Sequence, residues 1–417
     1  MRNFEIAFET LNKIFDNKIR FNLAVKSSLK KANKMGDSAF INELTSTCGC
    51  VLRHYYVFEE IIKRKYPDAN QKQILLISLA LANRLFSKRY DVKKLNEYVC
   101  KESELDDVTS FIEGLNDPKK LIPNDIKEDT PNYYHLRYNL PLWLVEMWSK
   151  NFDAFIAKKL FRSVYHKDKQ VLRINNNTID GEEFFKKYNN LQPFGDSLAI
   201  YDGKENIKKL LAVKNGDAFD IDAGYKLLVN SIEIDPIRGI AAYAGSSNKL
   251  LTELYCVLGN SFKMDYLCGS QKNFFEVKKE IQELGMLNIS TYEVSYTGIV
   301  TCISKPVHYF FLCPRNTYFR GLSETPDYFL NINSEDLDEI IKEEKEAINE
   351  AKDQIEDGGY LIYYLPTVSK NETRGVIHAF LKENPNFTIV REKQMLPFDK
   401  YKNMFYFAIL KKGESND

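Results

Sequence analysis

Beyond about Asp217, short apolar runs alternate with longer amphipathic ones. RGIAAYAG precedes NKLLTELYCVL and SFKMDYL precedes NFFEVKKEIQELG; STYEVSY, VHYFFLC, the long acidic SEDLDEIIKEEKEAINEAKDQI and YLIYYLP follow. Strand-length and helix-length segments in this order restrict the region to a doubly wound α/β sheet, because parallel strands need helical crossovers. The final FTIVREKQM and MFYFAILKK are two β-rich runs that suit an antiparallel edge pair on an otherwise parallel sheet. A ligand cleft in such a sheet lies at the carboxyl ends of its strands.

The first third of the chain has a different period. From Asn3 to about Phe111 apolar residues recur at three and four, as in Phe4, Ala7, Leu11 and Ile14, which predicts packed amphipathic helices. Pro67-Asp68 separates a basic helix, EEIIKRKY, from an apolar one, QKQILLISLALANRLF. Lys26, Lys30, Lys31 and Lys34, then Arg53, Lys63, Arg64 and Lys65, place cations on exposed helix faces, where phosphate contact and simple solvation are both open readings. A polar stretch with Pro118, Pro123 and Pro131 breaks the helical period and reads as a linker. After it come a helix with both tryptophans, LPLWLVEMWSKNF, and a strand, VLRIN at 171–175. Three parts are expected: a helical domain over 1–125, a small αβ module over 126–215 and the doubly wound domain over 216–417, since 417 residues exceed what one core serves.

Lys plus Arg and Asp plus Glu number 58 each, so any nucleic-acid surface must be a local patch rather than a global basic excess. Seven scattered cysteines fit neither a disulfide framework nor a zinc site, and no metal is expected; a reducing cytoplasm is the simple reading. The start, MRNFEIAFETLNKIF, has no long apolar run with a cleavage site, so neither a signal peptide nor membrane attachment is expected.

The order and spacing of the helical bundle, the WL-containing helix, LRIN at 172–175, FDIDAG at 219–224, the AGSSNK loop, LGM at 284–286, SETPD, DGGYLIYY and MFYFAILKK resemble the Sun/Nop family of S-adenosylmethionine-dependent RNA cytosine-5 methyltransferases, in particular its Sun/Fmu branch. The likeness covers nearly the whole chain. It implies an α/β Rossmann-like methyltransferase domain with a mixed, mostly parallel sheet, preceded by an all-α NusB-like bundle and a small αβ linking module. It also implies RNA, ribosomal in class, as partner, and assigns Arg173 of LRIN to RNA contact.

YAGSSNK at 243–249 occupies the place of the family's Cys-Ala-Ala-Pro-Gly-Gly-Lys, so the resemblance puts the cofactor against Ala244, Gly245, Ser246, Ser247, Asn248 and Lys249. Glycines at such a turn supply positive backbone torsions and leave room for a ligand, which Ser247 and Asn248 do less well. Asp265, read as near the end of the second strand, is the candidate acceptor for ribose hydroxyls, with a cap on the next turn as the other reading. A register without gaps puts Ala241 at the end of the first strand, where the family has an acid. S-adenosylmethionine is the implied cofactor, and its binding stays open on these residues.

Cytosine carbon 5 is too weak a nucleophile to accept a methyl group until a thiolate adds to carbon 6, so the family's reaction requires a cysteine. Counting back from Pro326-Asp327 lays Cys313 to Arg320 on the family's Asp-Ala-Pro-Cys-Ser-Gly-Thr-Gly. Cys313 then stands for the proton-handling Asp and Asn316 for one cysteine. In the second motif, DGGYLIYYLPTVSKNET, the nucleophile's position carries Pro366. The same loop offers Arg315, Tyr318, Phe319 and Arg320, two guanidinium groups and two rings, where a target base would enter; Arg315, Tyr318 and Arg320 are the RNA candidates. A catalytically silent RNA-binding relative is the expectation. An active cytosine-5 methyltransferase and an assembly or transcription factor acting through the helical domain are the alternatives.

Overall fold

The computed structural model describes residues 3–165, 170–203, 205–246, 249–323, 325–399 and 404–414. The chain divides into two compact units, Met1–Tyr165 with Leu322–Ser334, and His166–Gly321 with Glu335–Asp417.

The first unit is helical, as the period of its apolar residues requires. Its helices include Asn3–Phe15, Phe21–Lys31, Ser38–Arg53, Tyr55–Lys65, Gln71–Ala82, Val92–Ser103 and Val108–Gly114. Gln71–Ala82 is buried on every side from Ile74 onward, so a helix apolar all round forms the centre of the bundle. It starts with a capping box, in which the Asn70 side chain and the Gln73 side chain satisfy each other's backbone N–H groups. Pro131–Tyr138, Leu142–Asn151 and Ala154–Ser163 group with this unit, and Trp148 is fully buried with its ring stacked on Phe161. The segment Leu322–Ser334 also belongs here: Asp327 Oδ2 accepts the Phe21 backbone N–H at 3.0 Å.

The second unit holds two sheets. The smaller is antiparallel, with β1 (Gln170–Ile174), β2 (Gln192–Gly195), β3 (Leu198–Tyr201) and β4 (Ala218–Asp220) in the order β2-β3-β1-β4. The larger has β5 (Ile240–Ala244), β6 (Met264–Cys268), β7 (Ile289–Glu293), β8 (Val307–Cys313), β9 (Ile355–Leu365), β10 (Phe387–Met395) and β11 (Phe405–Lys412) in the order β10-β11-β9-β8-β5-β6-β7. The first five pair in parallel, while β11 runs antiparallel to both β9 and β10, so the mixed, mostly parallel sheet expected from the segment order is present. Strands β5, β8 and β11, and β9 from Leu361 onward, are almost continuously buried, as sheets covered by helices on both faces must be.

Strand order reverses between β5 and β8, which makes their carboxyl ends the topological switch point of the sheet. Two strand positions differ from the sequence reading. Ala241 lies inside β5, which runs on to Ala244, because Ala242, Tyr243 and Ala244 keep pairing with both β6 and β8. Asp265 is the second residue of β6 and so sits near its amino end, opposite the edge where a ligand would lie. Among the described residues no helix is long and apolar enough to cross a membrane.

Candidate functional site

At the carboxyl end of β8 the apolar run ends on Cys313, which is 1% exposed. Burial pushes its thiol pKa well above the ordinary value, with the nearby Glu344 carboxyl adding in the same direction, so the group holds its proton. The chain then turns sharply. Asn316 spends its side chain on the backbone: Nδ2 donates to the Pro314 carbonyl at 3.0 Å, and Oδ1 accepts the Tyr318 N–H at 2.9 Å. This brace holds Tyr318 at φ +52°, a left-handed torsion costly for an aromatic residue. The Tyr318 ring folds over Gly321, where a Cβ would come within 2.6 Å of ring carbons, yet the side chain stays 42% exposed. Phe319 is fully buried, which corrects the expectation of a second ring open for stacking; it packs as core because the turn aims it inward. Arg315 is exposed and pairs with Glu343 at 2.8 Å, while Arg320 pairs with the buried Asp222 at 2.6 Å.

The β9 exit is tied to this turn. Pro366 is buried and accepts the Arg320 N–H on its carbonyl at 3.4 Å. Thr317 donates its N–H to Glu372 Oε1 at 2.7 Å and its hydroxyl to Oε2 at 2.8 Å, and shares a 2.9 Å contact with the Thr367 hydroxyl. Tyr363 donates its hydroxyl to the Glu372 carbonyl at 2.8 Å. Burial raises the Glu372 pKa to about 7 against the opposing pull of these hydrogen bonds. Behind it Glu344 is fully buried; burial first, then Glu372 and Glu343, raise its pKa, and the Tyr363 hydroxyl pulls it the other way. Sequence reasoning missed Glu344, although it breaks the stripe of Leu337, Ile340, Ala347 and Ile348 at helical spacing.

The residues expected around a cofactor are only partly gathered. Ala244 ends β5 and its carbonyl accepts two donors, the Gly269 N–H at 2.8 Å and Asn273 Nδ2 at 2.9 Å. Gly245 donates its N–H to the Cys313 carbonyl at 2.8 Å. Ser246 is half-buried; Ser247 and Asn248 lie outside the described residues. Lys249 precedes the helix Leu250–Leu258 and lies 3.8 Å from Glu280 Oε2. The Asp265 carboxylate faces the Tyr292 hydroxyl at 3.5 Å, away from this group, so the reading of it as a ribose acceptor is corrected by its place on the strand.

Arg173 is corrected as well. It is 4% exposed in β1, and its Nε donates to both oxygens of the fully buried Glu253 at 3.1 and 3.2 Å, while Nη1 donates to the Ile174 carbonyl at 2.6 Å. A guanidinium so enclosed joins β1 to the helix Leu250–Leu258 and presents nothing to RNA. Several helix-face cations in the first unit are likewise paired: Lys31 with Glu9 and Lys63 with Glu59, both at 2.8 Å, and Arg64 with Glu60 and Asp125, both at 2.7 Å.

The parallel sheet with its switch between β5 and β8 and its antiparallel edge pair β10–β11 is the fold of Rossmann-like methyltransferases. Over 408 residues the chain is 22% identical to the probable ribosomal RNA small subunit methyltransferase B of Bacillus subtilis strain 168, covering 92% of this chain and 89% of that protein. The resemblance to a Sun/Fmu-type ribosomal RNA methyltransferase therefore runs over most of the chain. Among solved structures, the crystal structure of PH0851 superposes with a TM-score of 0.73 at 16% identity and 99% coverage of both chains. NSun6 from Pyrococcus horikoshii, solved with SFG, gives 0.58 at 12% identity, covering 65% of this chain and 98% of that one. These two likenesses establish the fold. No family model matches the chain.

Proposed function

We propose that this protein is an RNA-binding relative of the ribosomal RNA cytosine-5 methyltransferases that performs no methyl transfer and works on ribosomal RNA or small-subunit assembly in the cytoplasm. The observation that carries the reading is the content of the two strand exits: Asn316, with its polar atoms bound to backbone, and the buried Pro366 stand where the reaction needs thiols. Neither side chain can add to carbon 6 of a cytosine, and without that covalent step carbon 5 is not activated. Two sulfurs at this edge among the described residues, Cys313 and Cys268, are both buried, and burial raises the pKa of each thiol. Arg315, Tyr318 and Arg320 supply cationic and aromatic groups suited to an unpaired stretch of RNA. On this reading 1–125 is a NusB-like RNA-binding domain, 126–215 a linking module and 216–417 a retained scaffold.

Incubation of the full chain with small-subunit ribosomal RNA and S-adenosylmethionine, followed by mass spectrometry of the nucleosides, is expected to yield no 5-methylcytosine, while the RNA is retained on the protein in a salt-dependent manner. Appearance of 5-methylcytosine, abolished by a cysteine-to-serine change in this chain, would make it an enzyme; failure to retain RNA would remove the binding role.

A further inference from the structure

We infer that the outer face of the helix Phe21–Lys31 is a contact surface for the phosphate backbone of RNA, with Lys26, Lys30 and Lys31 as the cations that touch it. This surface belongs to the helical unit, not to the strand exits of the sheet, and it has a ligand only if the chain binds RNA as proposed.

From Asn17 to Lys34 the chain carries Lys18, Arg20, Lys26, Lys30, Lys31 and Lys34 and no Asp or Glu, although acids and bases balance at 58 each over the whole sequence. Positive potential is therefore concentrated on one segment of a neutral chain. The fold sorts that segment into two sides. Phe21, Ala24, Val25, Ser28 and Leu29 are buried, so Asn22-Leu23, Lys26-Ser27 and Lys30-Lys31 recur at four-residue steps on the opposite side, all exposed. Leu23, Lys26, Ser27, Lys30 and Lys31 line a shallow groove of about 610 Å³. The helix is held from behind: Thr10 donates its hydroxyl to Ser28 Oγ at 2.8 Å, and Lys13 Nζ donates to Ser27 Oγ at 3.2 Å and to Ser28 Oγ at 3.1 Å. Lys13 thus brings a further cation to the groove wall.

The other basic helix, Tyr55–Lys65, shows what a spent charge looks like. Its Lys63 and Arg64 close on Glu59 and Glu60 one turn back, and Arg64 also reaches Asp125. Lys26 and Lys30 have no carboxylate partner among the described residues, and Lys31 pairs with Glu9 while staying 63% exposed. An exposed pair of that kind exchanges carboxylate for phosphate at little cost. An anionic membrane would need an apolar stripe beside the cations to bury among headgroups. Of the exposed residues of this helix only Leu23 is apolar, so the face suits phosphates strung along a nucleic-acid strand. Lysines on phosphate read no bases, which makes a uridine homopolymer a sufficient probe.

Retention of a single-stranded uridine homopolymer by the full chain, measured against salt, tests the surface. Lys26→Ala, Lys30→Ala and Lys31→Ala combined are expected to lower the log–log salt slope by about 2, about 0.7 for each phosphate contact, and to weaken binding at least about tenfold at about 0.1 M salt. The same loss of charge on the paired helix, Lys63→Ala, Arg64→Ala and Lys65→Ala combined, is expected to change the slope by less than about 0.7. The first variant is expected to melt within about 3 °C of the unaltered chain, since its side chains are exposed, and Lys26→Arg, Lys30→Arg and Lys31→Arg combined are expected to keep the slope. An unchanged slope in the first variant, or equal losses in the two alanine variants, overturns the assignment of this face and leaves RNA binding in place. Retention of phosphatidylserine vesicles that the first variant abolishes, with RNA retention unchanged, overturns it in favour of a membrane. No retention of RNA by the unaltered chain removes the RNA-binding reading itself, and this surface with it.

Discussion

Arg173 in β1 and Arg315 after β8 are both arginines that the sequence assigns to RNA, and they end in opposite settings. Arg173 is enclosed with Glu253, whereas Arg315 is about half exposed and pairs with Glu343 on the flank of a long acidic helix. The first pair sits where water cannot replace a lost partner, and the second sits where it can. Desolvation decides the role of each: a buried guanidinium is committed to its carboxylate, and an exposed one can exchange its carboxylate for phosphate at little cost.

The largest expected effect tests that contrast directly. Arg173→Ala leaves Glu253 buried and unpaired and is expected to cost about 3–5 kcal/mol in chemical denaturation, while Arg315→Ala costs less than about 1 kcal/mol. Equal losses in the two variants would break the comparison. Replacing both Arg173 and Glu253 with apolar residues of similar volume is expected to recover most of the stability.

Next in size is a pH effect at the β9 exit. Glu372 and Glu344 have folded-state pKa values above the ordinary 4.5, so the folded protein keeps protons that the unfolded chain releases. Stability is then fully present below the unfolded pKa and falls as pH rises through the window from 4.5 to about 7 set by Glu372, with Glu344 adding in the same direction. Glu344→Gln removes one of these protons from the balance and is expected to stabilise the fold at pH 8 by about 1–3 kcal/mol, with a smaller gain at pH 5. Denaturant melts at the two pH values check this, and a loss at pH 8 would mean that the Tyr363 hydroxyl outweighs the cost of burying the carboxylate.

Smaller effects sharpen the RNA side of the comparison. Arg315→Ala is expected to lower the salt dependence of RNA binding by about 0.7 in the log–log slope, the value of one phosphate contact on a single strand. Arg173→Ala is expected to leave that slope unchanged in the folded fraction. Tyr318→Gly relieves a left-handed torsion and is expected to raise stability by about 0.5–1 kcal/mol while weakening RNA retention through loss of the exposed ring. Unchanged retention would take Tyr318 out of the interface.

Much of the fold was legible. The period of Phe4, Ala7, Leu11 and Ile14 is one face of a helix wherever it packs, and VHYFFLC is a buried strand in any parallel sheet, because local burial sets those patterns. The site was less so. Ala241 looked terminal because the register was counted without gaps, whereas cross-strand pairing carries β5 on to Ala244. Phe319 looked available because it neighbours exposed groups, and a turn braced by Asn316 points Tyr318 out and Phe319 in.

By itself the sequence determined which atoms stand at the two strand exits: no rearrangement supplies a thiol at Asn316 or Pro366, since covalent identity is independent of conformation. Only tertiary structure decided which of the remaining polar groups meet. Arg173 finds Glu253 across 80 residues and Thr317 finds Glu372 across 55. Such encounters follow from how strands and helices stack, and burial then fixes whether each group is a structural tie or a surface contact.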